Sequence, residues 1–269
     1  RNIEVLKGDG YHFIEPGDGY LACGYVAKGR MEEPLQIVSV MNQFFNNDAV
    51  STDSSFSGKR ALVTAGPTVE VIDPVRYVTN RSSGKMGFAI AEALREKGAE
   101  VTLVTGPTQL TDPKGINVIH VQSAEDMFNA VKERYNAQDI IFKAAAVSDY
   151  TPSEVLDHKM KKREGDLSVT FKRTTDILKY LGDNKKHQYL VGFAAETQNI
   201  EAYAQDKLAR KNADVIISNN VGDQSIGFSS DDNELTMHFK NKDMVNIKKG
   251  KKVELAKQIL DELETRWQQ

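Results

Sequence analysis

The chain has 269 residues, of which 40% are hydrophobic and 27% charged, and its formal net charge at pH 7 is −3. This composition is typical of a globular protein and disfavours general binding to nucleic acid or to a membrane surface. The single cysteine, Cys23, excludes an internal disulfide framework, and no apolar run approaches the roughly 18 residues of a membrane span, so we expect a cytoplasmic protein.

The first 45 residues predict the end of a domain whose beginning is missing. Glycine-rich turns surround one short helical stretch at 34–45, and a piece of this size with little apolar periodicity is unstable alone. Because the chain starts at Arg1, we expect a fragment or a processed product. Small polar residues at 46–57 predict a linker to a second domain at 58–269.

Strands and helices alternate after this linker. Strands are predicted at 60–65, 100–105, 117–121, 139–147, 167–172, 189–194 and 214–218, and helices at 88–97, 124–136, 175–181, 200–211 and 252–267. Several strands are nearly continuous apolar runs, which indicates burial on both faces. We therefore predict an α/β, Rossmann-like, doubly wound and mostly parallel sheet with helices on both faces, and a small C-terminal β-hairpin from 235–239 and 244–247.

A long loop, DPVRYVTNRSSGKMG at 73–87, separates the first strand from its helix. Backbone N–H groups and the helix dipole at such a junction favour an anion. The loop lacks the G-x-G-x-x-G of dinucleotide folds and the G-x-x-x-x-G-K-[ST] of P-loops. It combines Arg76, Asn80 and Lys85, which favours a ligand site over a glycine turn that only packs a helix.

The segment AAAVSDY at 144–150 follows the fourth predicted strand, where open α/β sheets bind ligands. Ala144 and Ala145 are small enough for close approach of a ring. Asp149 could hold a ribose hydroxyl, a base amine or Mg²⁺, or simply form an Asx turn. Lys159 opens the basic run KMKK, which either closes over a triphosphate or is a solvated loop.

Three further groups of residues have both a structural and a ligand-binding interpretation. The segment Arg173, Thr174, Thr175 and Asp176 either caps the next helix or contacts a nucleotide. Phe193 either stacks on a base or belongs to the core. Lys207 and Lys211, four positions apart on one helix face, either clamp phosphates or face solvent.

Several of these motifs in this order resemble the phosphopantothenoylcysteine synthetase domain of bacterial bifunctional coenzyme A biosynthesis proteins. The resemblance covers residues 58–267 and is carried by DPVRYVTNRSSGKMG, AAAVSDY, KMKK, TTDIL, GFAAET and IGFSSDDNE. The segment LACGYVAKGRMEEP at 21–34 resembles the substrate clamp of the partner domain, a flavin-dependent decarboxylase. Cys23 would be the proton donor of that domain, which would bind FMN only in the intact protein, so this chain is not expected to decarboxylate alone.

The resemblance implies a ligase that works in two steps. The carboxylate of 4′-phosphopantothenate attacks the α-phosphate of CTP, which gives an acyl-cytidylate and pyrophosphate. The amine of cysteine then attacks the acyl carbon, which gives 4′-phosphopantothenoylcysteine and CMP. Mg²⁺ is expected to accompany the triphosphate, and the domain is expected to form a homodimer that assembles further with the decarboxylase domain.

The resemblance also assigns roles to residues. Lys159 would stabilise phosphoryl transfer, and Asn80 would act on the acyl-cytidylate. Arg76 would reach phosphopantothenate across the dimer interface, with Ser82, Ser83 and Gly84 lining the phosphate pocket. The nucleotide contacts would be Ala144, Ala145, Asp149, Arg173, Thr174, Thr175, Asp176, Phe193, Lys207 and Lys211. Many relatives have a Lys-x-Pro type sequence before the position of Asp176, where this chain has Arg-Thr-Thr.

Two other functions are compatible with the same fold class. One is a non-catalytic nucleotide-binding subunit of a decarboxylase assembly. The other, a nicotinamide oxidoreductase, is disfavoured because the second strand ends in Val104-Thr105-Gly106, with no carboxylate for a ribose. The residue types alone do not distinguish CTP from ATP, and the choice of CTP follows from the resemblance.

Overall fold

The structure is a computed structural model that describes residues 2–8, 11, 13–20, 26–47, 54–161, 167–196, 200–220 and 232–267. The chain separates into two compact units, Arg1–Val50 and Ser51–Gln269. The first contains helix α1 (Asn2–Gly8), the antiparallel strands β1 (Gly17–Tyr20) and β2 (Val26–Arg30), and helix α2 (Pro34–Asn47). Cys23 lies outside the described residues.

The second unit alternates strands and helices along the chain. Its strands are β3 (Arg60–Ala65), β4 (Val69–Val71), β5 (Tyr77–Thr79), β6 (Glu100–Thr105), β7 (Asn117–His120), β8 (Ile140–Lys143), β9 (Tyr150–Pro152), β10 (Phe171–Arg173), β11 (Tyr189–Glu196), β12 (Val215–Asn220), β13 (Asp232–Phe239) and β14 (Met244–Lys251). Its helices are α3 (Lys85–Glu96), α4 (Ala124–Arg134), α5 (Ile177–Asn184), α6 (Ile200–Lys211) and α7 (Lys252–Trp267), and a 3₁₀ turn, Tyr135–Ala137, follows α4.

Eight of these strands form the central sheet, in the order β14-β13-β12-β11-β8-β3-β6-β7. The strands from β12 to β7 are parallel, and β13 and β14 are antiparallel to their neighbours. The chain runs from β3 outward to β6 and β7, then returns to β8 on the other side of β3. This reversal beside β3 is the topological switch point of a doubly wound sheet. The predicted fold class is confirmed.

Two apolar layers cover the two faces of the sheet. Alternate residues of β3 belong to opposite apolar layers. Val63 lies in the layer that contains residues of α3 and α7, and Leu62 lies in the layer that contains residues of α4, α5 and α6. Both side chains are fully buried. Burial on both faces explains why the central strands are apolar throughout, as the sequence indicates.

The structure differs from the predicted elements at strands whose pairing partners are not evident from the local sequence. The predicted strand at 167–172 is the short β10, which pairs with β9 in a separate ribbon instead of the central sheet. The ribbon of β4 and β5 lies between β3 and α3, with only β5 inside the long loop, and was not predicted. The predicted hairpin is longer than expected, since Asp232 and Asn233 of β13 pair with Lys251 and Gly250 of β14. Strand β13 also pairs with β12, so the hairpin extends the central sheet.

Residues before position 58 pack against the rest of the second unit. Phe56, which composition places in the linker, is fully buried and packs against the ring of Trp267 at 5.1 Å between centroids. The backbone N–H of Ser55 donates to the carboxylate of Glu264 at 2.9 Å. These contacts join residues 54–57 to the last helix, a partnership that local composition does not show.

Candidate active site

A cavity of about 630 Å³ lies at the switch point, beside the carboxyl ends of β3 and β8. It is lined by the end of the long loop, by the segment that follows β8, and by residues of β11, α6, β12, β13 and α7. Open α/β sheets bind ligands at this place because the loops diverge there and leave a crevice.

The loop reaches the cavity through two glycines with left-handed backbone. Gly66 has φ +73° directly after β3, and Gly84 has φ +77° and is the N-cap of α3. A Cβ on Gly84 would lie 2.8 Å from the methyl of Thr108. Because Gly84 is the N-cap, helix α3 begins at Lys85, three residues before the predicted start. The first turn of the helix contains no acidic residue. This arrangement points the positive end of the helix dipole towards the cavity wall.

The segment after β8 is held against the end of β3 by its own backbone. The N–H groups of Ala145, Ala146 and Ser148 donate to Thr64 Oγ1, the carbonyl of Gly66 and Thr68 Oγ1, at 3.2, 2.9 and 3.0 Å. Such a chain of bonds makes the segment a fixed wall of the cavity.

Asn80 is exposed and binds this wall through its side chain. Its Nδ2 donates to the carbonyls of Ala146 and Val147, both at 3.2 Å. The amide is thus positioned in the cavity by two backbone acceptors, although it belongs to a different part of the chain. The carboxamide oxygen has no part in these two bonds.

Lys143, the last residue of β8, was not predicted as a site residue, although a lysine inside the run DIIFKAAA is an unusual signal. It is half-buried, lines the cavity and donates from Nζ to the carbonyl of Ala145 at 2.8 Å. Burial lowers the pKa of Lys143 to about 8, and the charge of Lys207 acts in the same direction. Other residues that line the cavity were not predicted either, among them Arg81, Asn219, Asn233 and Lys252.

The N-terminal turn of helix α5, whose charge acts on Lys143, is capped by a side chain. Asp176 is the N-cap and accepts from the backbone N–H of Lys179 at 2.9 Å, and its other oxygen pairs with Lys211 Nζ at 2.5 Å. Burial favours the protonated carboxyl, but the bonds from Lys211 and Lys179 hold the pKa of Asp176 below its ordinary value. Asp176 therefore has the capping role that was one of its two interpretations.

A second set of contacts joins Arg76 to the lysine-rich segment. The buried Asp73 accepts from the backbone N–H of Met160 at 3.1 Å and forms an ion pair with Arg76 at 3.6 Å. Arg76 in turn donates to the carbonyl of Met160 at 3.0 Å. Burial acts against ionisation, yet these backbone donors and Arg76 hold the pKa of Asp73 below its ordinary value.

The structure thus brings some predicted residues together and leaves others apart. The predicted residues that line the cavity are Asn80, Ser82, Ser83, Gly84, Ala144, Ala145, Asp149, Phe193 and Lys207. The predicted residues outside its lining are Arg76, Lys159, Arg173, Thr174, Thr175, Asp176 and Lys211. Thr174 still contacts the cavity wall, because its hydroxyl donates to the carbonyl of Ser148 at 2.6 Å and its N–H to that of Asp149 at 3.0 Å.

Arg76 lines a larger cavity of about 1090 Å³, together with Asp73, Tyr77 and His120. Among the described residues, this cavity and the one at the switch point share no lining residue. Asn80 and Arg76, both assigned to phosphopantothenate chemistry by resemblance, therefore line different cavities of the chain.

In the described ranges, no cluster of three or more histidine, cysteine or acidic side chains is arranged to hold a metal ion. Asp149 is the one carboxylate among the described residues that line the switch-point cavity. Across the same part of the chain, every helix is too short or too polar to span a bilayer.

Comparison with known proteins gives consistent matches. The sequence profile of the family described as "DNA/pantothenate metabolism flavoprotein C-terminal domain" matches residues 56–266. The coenzyme A biosynthesis bifunctional protein CoaBC of Bacillus subtilis (strain 168) is 52% identical over 264 residues. A cysteine/cysteine sulfinic acid decarboxylase from an unknown prokaryotic organism is 43% identical over 267 residues, which are 98% of this chain and 74% of that protein.

A solved structure is also similar, the crystal structure of the C-terminal domain of a coenzyme A biosynthesis bifunctional protein CoaBC. It is 44% identical with a TM-score of 0.68, and the match covers 79% of this chain and 97% of that one. The match to the Bacillus subtilis protein covers 98% of this chain but 64% of the relative, so the chain spans less than two thirds of that protein's length.

Proposed function

Because the chain belongs to the DNA/pantothenate metabolism flavoprotein C-terminal domain family, we propose that it is a ligase of coenzyme A biosynthesis that joins cysteine to 4′-phosphopantothenate. CTP would activate the carboxylate as an acyl-cytidylate, with release of pyrophosphate, and cysteine would then displace CMP. The observation that carries this proposal is the switch-point cavity, where Asn80, Asp149 and Lys207 meet beside the start of α3.

The first step brings a carboxylate to a triphosphate, so cationic groups and positioning would supply most of the catalysis. Lys85, Lys143, Lys207 and Lys252 line the cavity, and Asp149 is the acidic residue among the described lining. A cavity with this charge balance suits a polyanion. Mg²⁺ would enter with the triphosphate oxygens, since Mg²⁺ usually keeps substrate phosphates and water among its ligands.

Lys159 would act on the phosphoryl group after its segment moves, because it is exposed and outside the cavity lining here. A flexible lysine is suited to such a role, since its ammonium is a point charge on a long stem. The bonds between Met160 and Asp73 would fix one side of the moving segment.

The second step needs a donor for the oxygen of the acyl group as cysteine attacks. Asn80 is suited to this because its amide is already oriented by the carbonyls of Ala146 and Val147. Exchange of one of these two bonds for the acyl oxygen would leave the amide anchored by the other. Stabilisation of a developing oxyanion by such an oriented donor is a large contribution in acyl transfer.

We propose that the ligase unit is a homodimer, with Arg76 directed to the substrate of the partner. The β4–β5 ribbon supports this, because Val75 and Tyr77 beside Arg76 are 57% and 59% exposed. Apolar side chains exposed together indicate a contact surface. In the intact protein the decarboxylase domain would bind FMN, use Cys23 as proton donor and assemble the dimers further.

We also propose a cytoplasmic location.

The test measures pyrophosphate release by the purified chain with 4′-phosphopantothenate and each of CTP, ATP, GTP and UTP. We expect release with CTP, and CMP with amide product once cysteine is added. Lys159→Met is expected to abolish pyrophosphate release, while Lys161→Met, which changes an exposed lysine of the same segment, serves as the matched control. A folded dimer that releases no pyrophosphate with any of the four nucleotides would reject the ligase.

A second candidate function is a nucleotide-binding subunit of a decarboxylase assembly without ligase activity. It is favoured by one observation: a relative 43% identical over nearly the whole chain is named as a decarboxylase. Calorimetry distinguishes the two functions, because this alternative requires nucleotide binding without turnover.

A further inference from the structure

Lys143 places an ammonium group in the switch-point cavity, where a bound anion could contact it. It ends the central strand β8, whose preceding residues Ile141 and Phe142 are almost fully buried. Its ammonium reaches into the switch-point cavity and bonds to the carbonyl of Ala145 at 2.8 Å. One neutral carbonyl is a weak substitute for the water that an ammonium loses on burial.

The charged groups around Lys143 add to this cost. Lys207 and Lys211 of α6 repel its charge, while Asp176 at the start of α5 and Asp149 after β8 attract it. The carboxylate of Asp176 is already paired with Lys211, which lies 2.5 Å away. Burial, Lys207 and Lys211 together outweigh the two carboxylates, so the ammonium form of Lys143 is disfavoured in the free chain. Clusters of this kind are unfavourable until an anion completes them, which is why they mark binding sites.

Resting on the function proposed above, we propose that the Lys143 ammonium is a further contact for the nucleotide phosphates in the switch-point cavity, which Lys207 also lines. The ammonium would exchange the Ala145 carbonyl for a phosphate oxygen within the same cavity. No residue outside the cavity has to move for this exchange.

A phosphate contact at Lys143 would also entail proton uptake on nucleotide binding, because the environment of the free site disfavours the charged lysine. The pKa of Lys143 is about 8 in the unliganded chain, so at pH 8.5 roughly three quarters of the molecules carry it neutral. A polyphosphate beside the amine favours its charged form and therefore draws a proton from the solution. The nucleotide affinity then falls as the pH rises above 8, since each binding event requires that proton.

A purely structural role for Lys143 makes the opposite prediction for stability. If the bond to Ala145 mainly stabilised the fold, Lys143→Met would lower the melting temperature of the ligand-free chain. We expect the melting temperature to stay unchanged or to rise, because methionine fills a similar volume without a charge to desolvate.

The experiment is titration calorimetry of CTP, without 4′-phosphopantothenate, at pH 8.5 in two buffers that differ in ionisation enthalpy. The wild-type chain should take up a fraction of a proton on binding. Lys143→Met should abolish this uptake and weaken binding about tenfold or more, the loss expected for one charge-assisted hydrogen bond. Lys143→Arg should keep the affinity but show no uptake, since guanidinium does not titrate there. Lys114→Met, at an exposed lysine outside the cavity lining, should behave as wild type.

Each outcome decides the proposal. Equal CTP affinity and equal proton uptake in wild type and Lys143→Met would overturn it, and so would a lowered melting temperature with unchanged uptake. A chain that releases pyrophosphate in the ligase assay yet shows no uptake dependent on Lys143 keeps the proposed function and loses this inference. A wild-type chain that binds neither CTP nor inorganic pyrophosphate rejects both.

Discussion

The carboxylate of Asp73 and the backbone amide of Met160 are joined by a hydrogen bond of 3.1 Å that spans 87 positions of the sequence. The same carboxylate accepts from the N–H groups of Val75 and Arg76, each at 2.8 Å, and Arg76 donates back to the carbonyl of Met160. The turn between β4 and β5 and the lysine-rich segment therefore form one unit. Under the proposed function, Asp73 would position both Arg76 and the segment that carries Lys159.

Asp73→Asn should lower the proposed ligase activity without removing any residue that is proposed to contact the substrate. Both carboxylate oxygens of Asp73 accept hydrogen bonds from backbone N–H groups. The NH₂ group of asparagine cannot accept such a bond, so at least one backbone N–H would lose its partner. We expect about a tenfold or greater rise in KM for 4′-phosphopantothenate and a lower melting temperature. Steady-state kinetics and thermal unfolding measure the two effects.

Asp157→Asn is the matched control, because it changes an exposed carboxylate near the same segment. If Asp73→Asn leaves KM unchanged, Asp73 does not position the substrate residues.

The low pKa of Asp73 also means that its contribution to stability is present above the ordinary carboxyl range and is lost only as the pH falls through the folded-state value.

Asn80→Ala should impair the cysteine step more than pyrophosphate formation. The amide is held by two carbonyls of the cavity wall, so its loss removes an oriented donor and leaves the wall intact. We expect the amide-forming rate to fall about a hundredfold, the scale known for one oxyanion donor. Single-turnover assays that follow pyrophosphate and amide separately give the comparison.

The control for this variant is Asn129→Ala, at an exposed position of α4. An equal loss of both steps in Asn80→Ala would make Asn80 a structural residue. Retention of both steps would show that the amide has no part in the reaction.

Gly87→Ala should destabilise the chain, because helix α3 passes very close to the end of β3. A Cβ at residue 87 would lie 2.6 Å from the Cβ of Ala65, and a methyl cannot be accommodated there without a backbone shift. Overpacking of this kind costs about 1–3 kcal/mol. Denaturant unfolding measures the loss, and Gly250→Ala, where the nearest contacts are 3.6 Å, should be nearly neutral.

Lys143 should make the stability of the ligand-free chain depend on pH in a defined window. Its pKa is about 8 when folded and 10.5 ordinarily, so between these values the unfolded chain binds the proton and the folded chain does not. The free energy of unfolding of the wild type, relative to Lys143→Met, should therefore rise as the pH increases from 8 to 10.5. The rise should be about 1–3 kcal/mol.

Chemical denaturation of both proteins across this pH range isolates the effect, since other titrating groups are common to both. A difference that stays constant or falls with pH would show that the lysine is not desolvated in the folded state.

Much of the fold follows from local patterns in the sequence. The predicted bounds of β3, β6, α6 and α7 agree with the structure, because apolar runs and helical periodicity depend on residues close together in the chain. The three-residue strands β4, β5 and β9 have too few residues for a period to be read. They exist because each pairs with a partner in a ribbon.

The features of the candidate site can likewise be separated into those that the sequence predicts and those that depend on the fold. The sequence by itself determined the α/β class, the family and the loop that carries Asn80, because these are written in contiguous motifs. Only the tertiary structure decided that Asn80 lines the switch-point cavity, that Arg76 lines another cavity, and that the half-buried Lys143 shares the cavity lining with Lys207. The physical reason is that burial and electrostatic contact are set by distance through space, which strand order determines after the chain has folded.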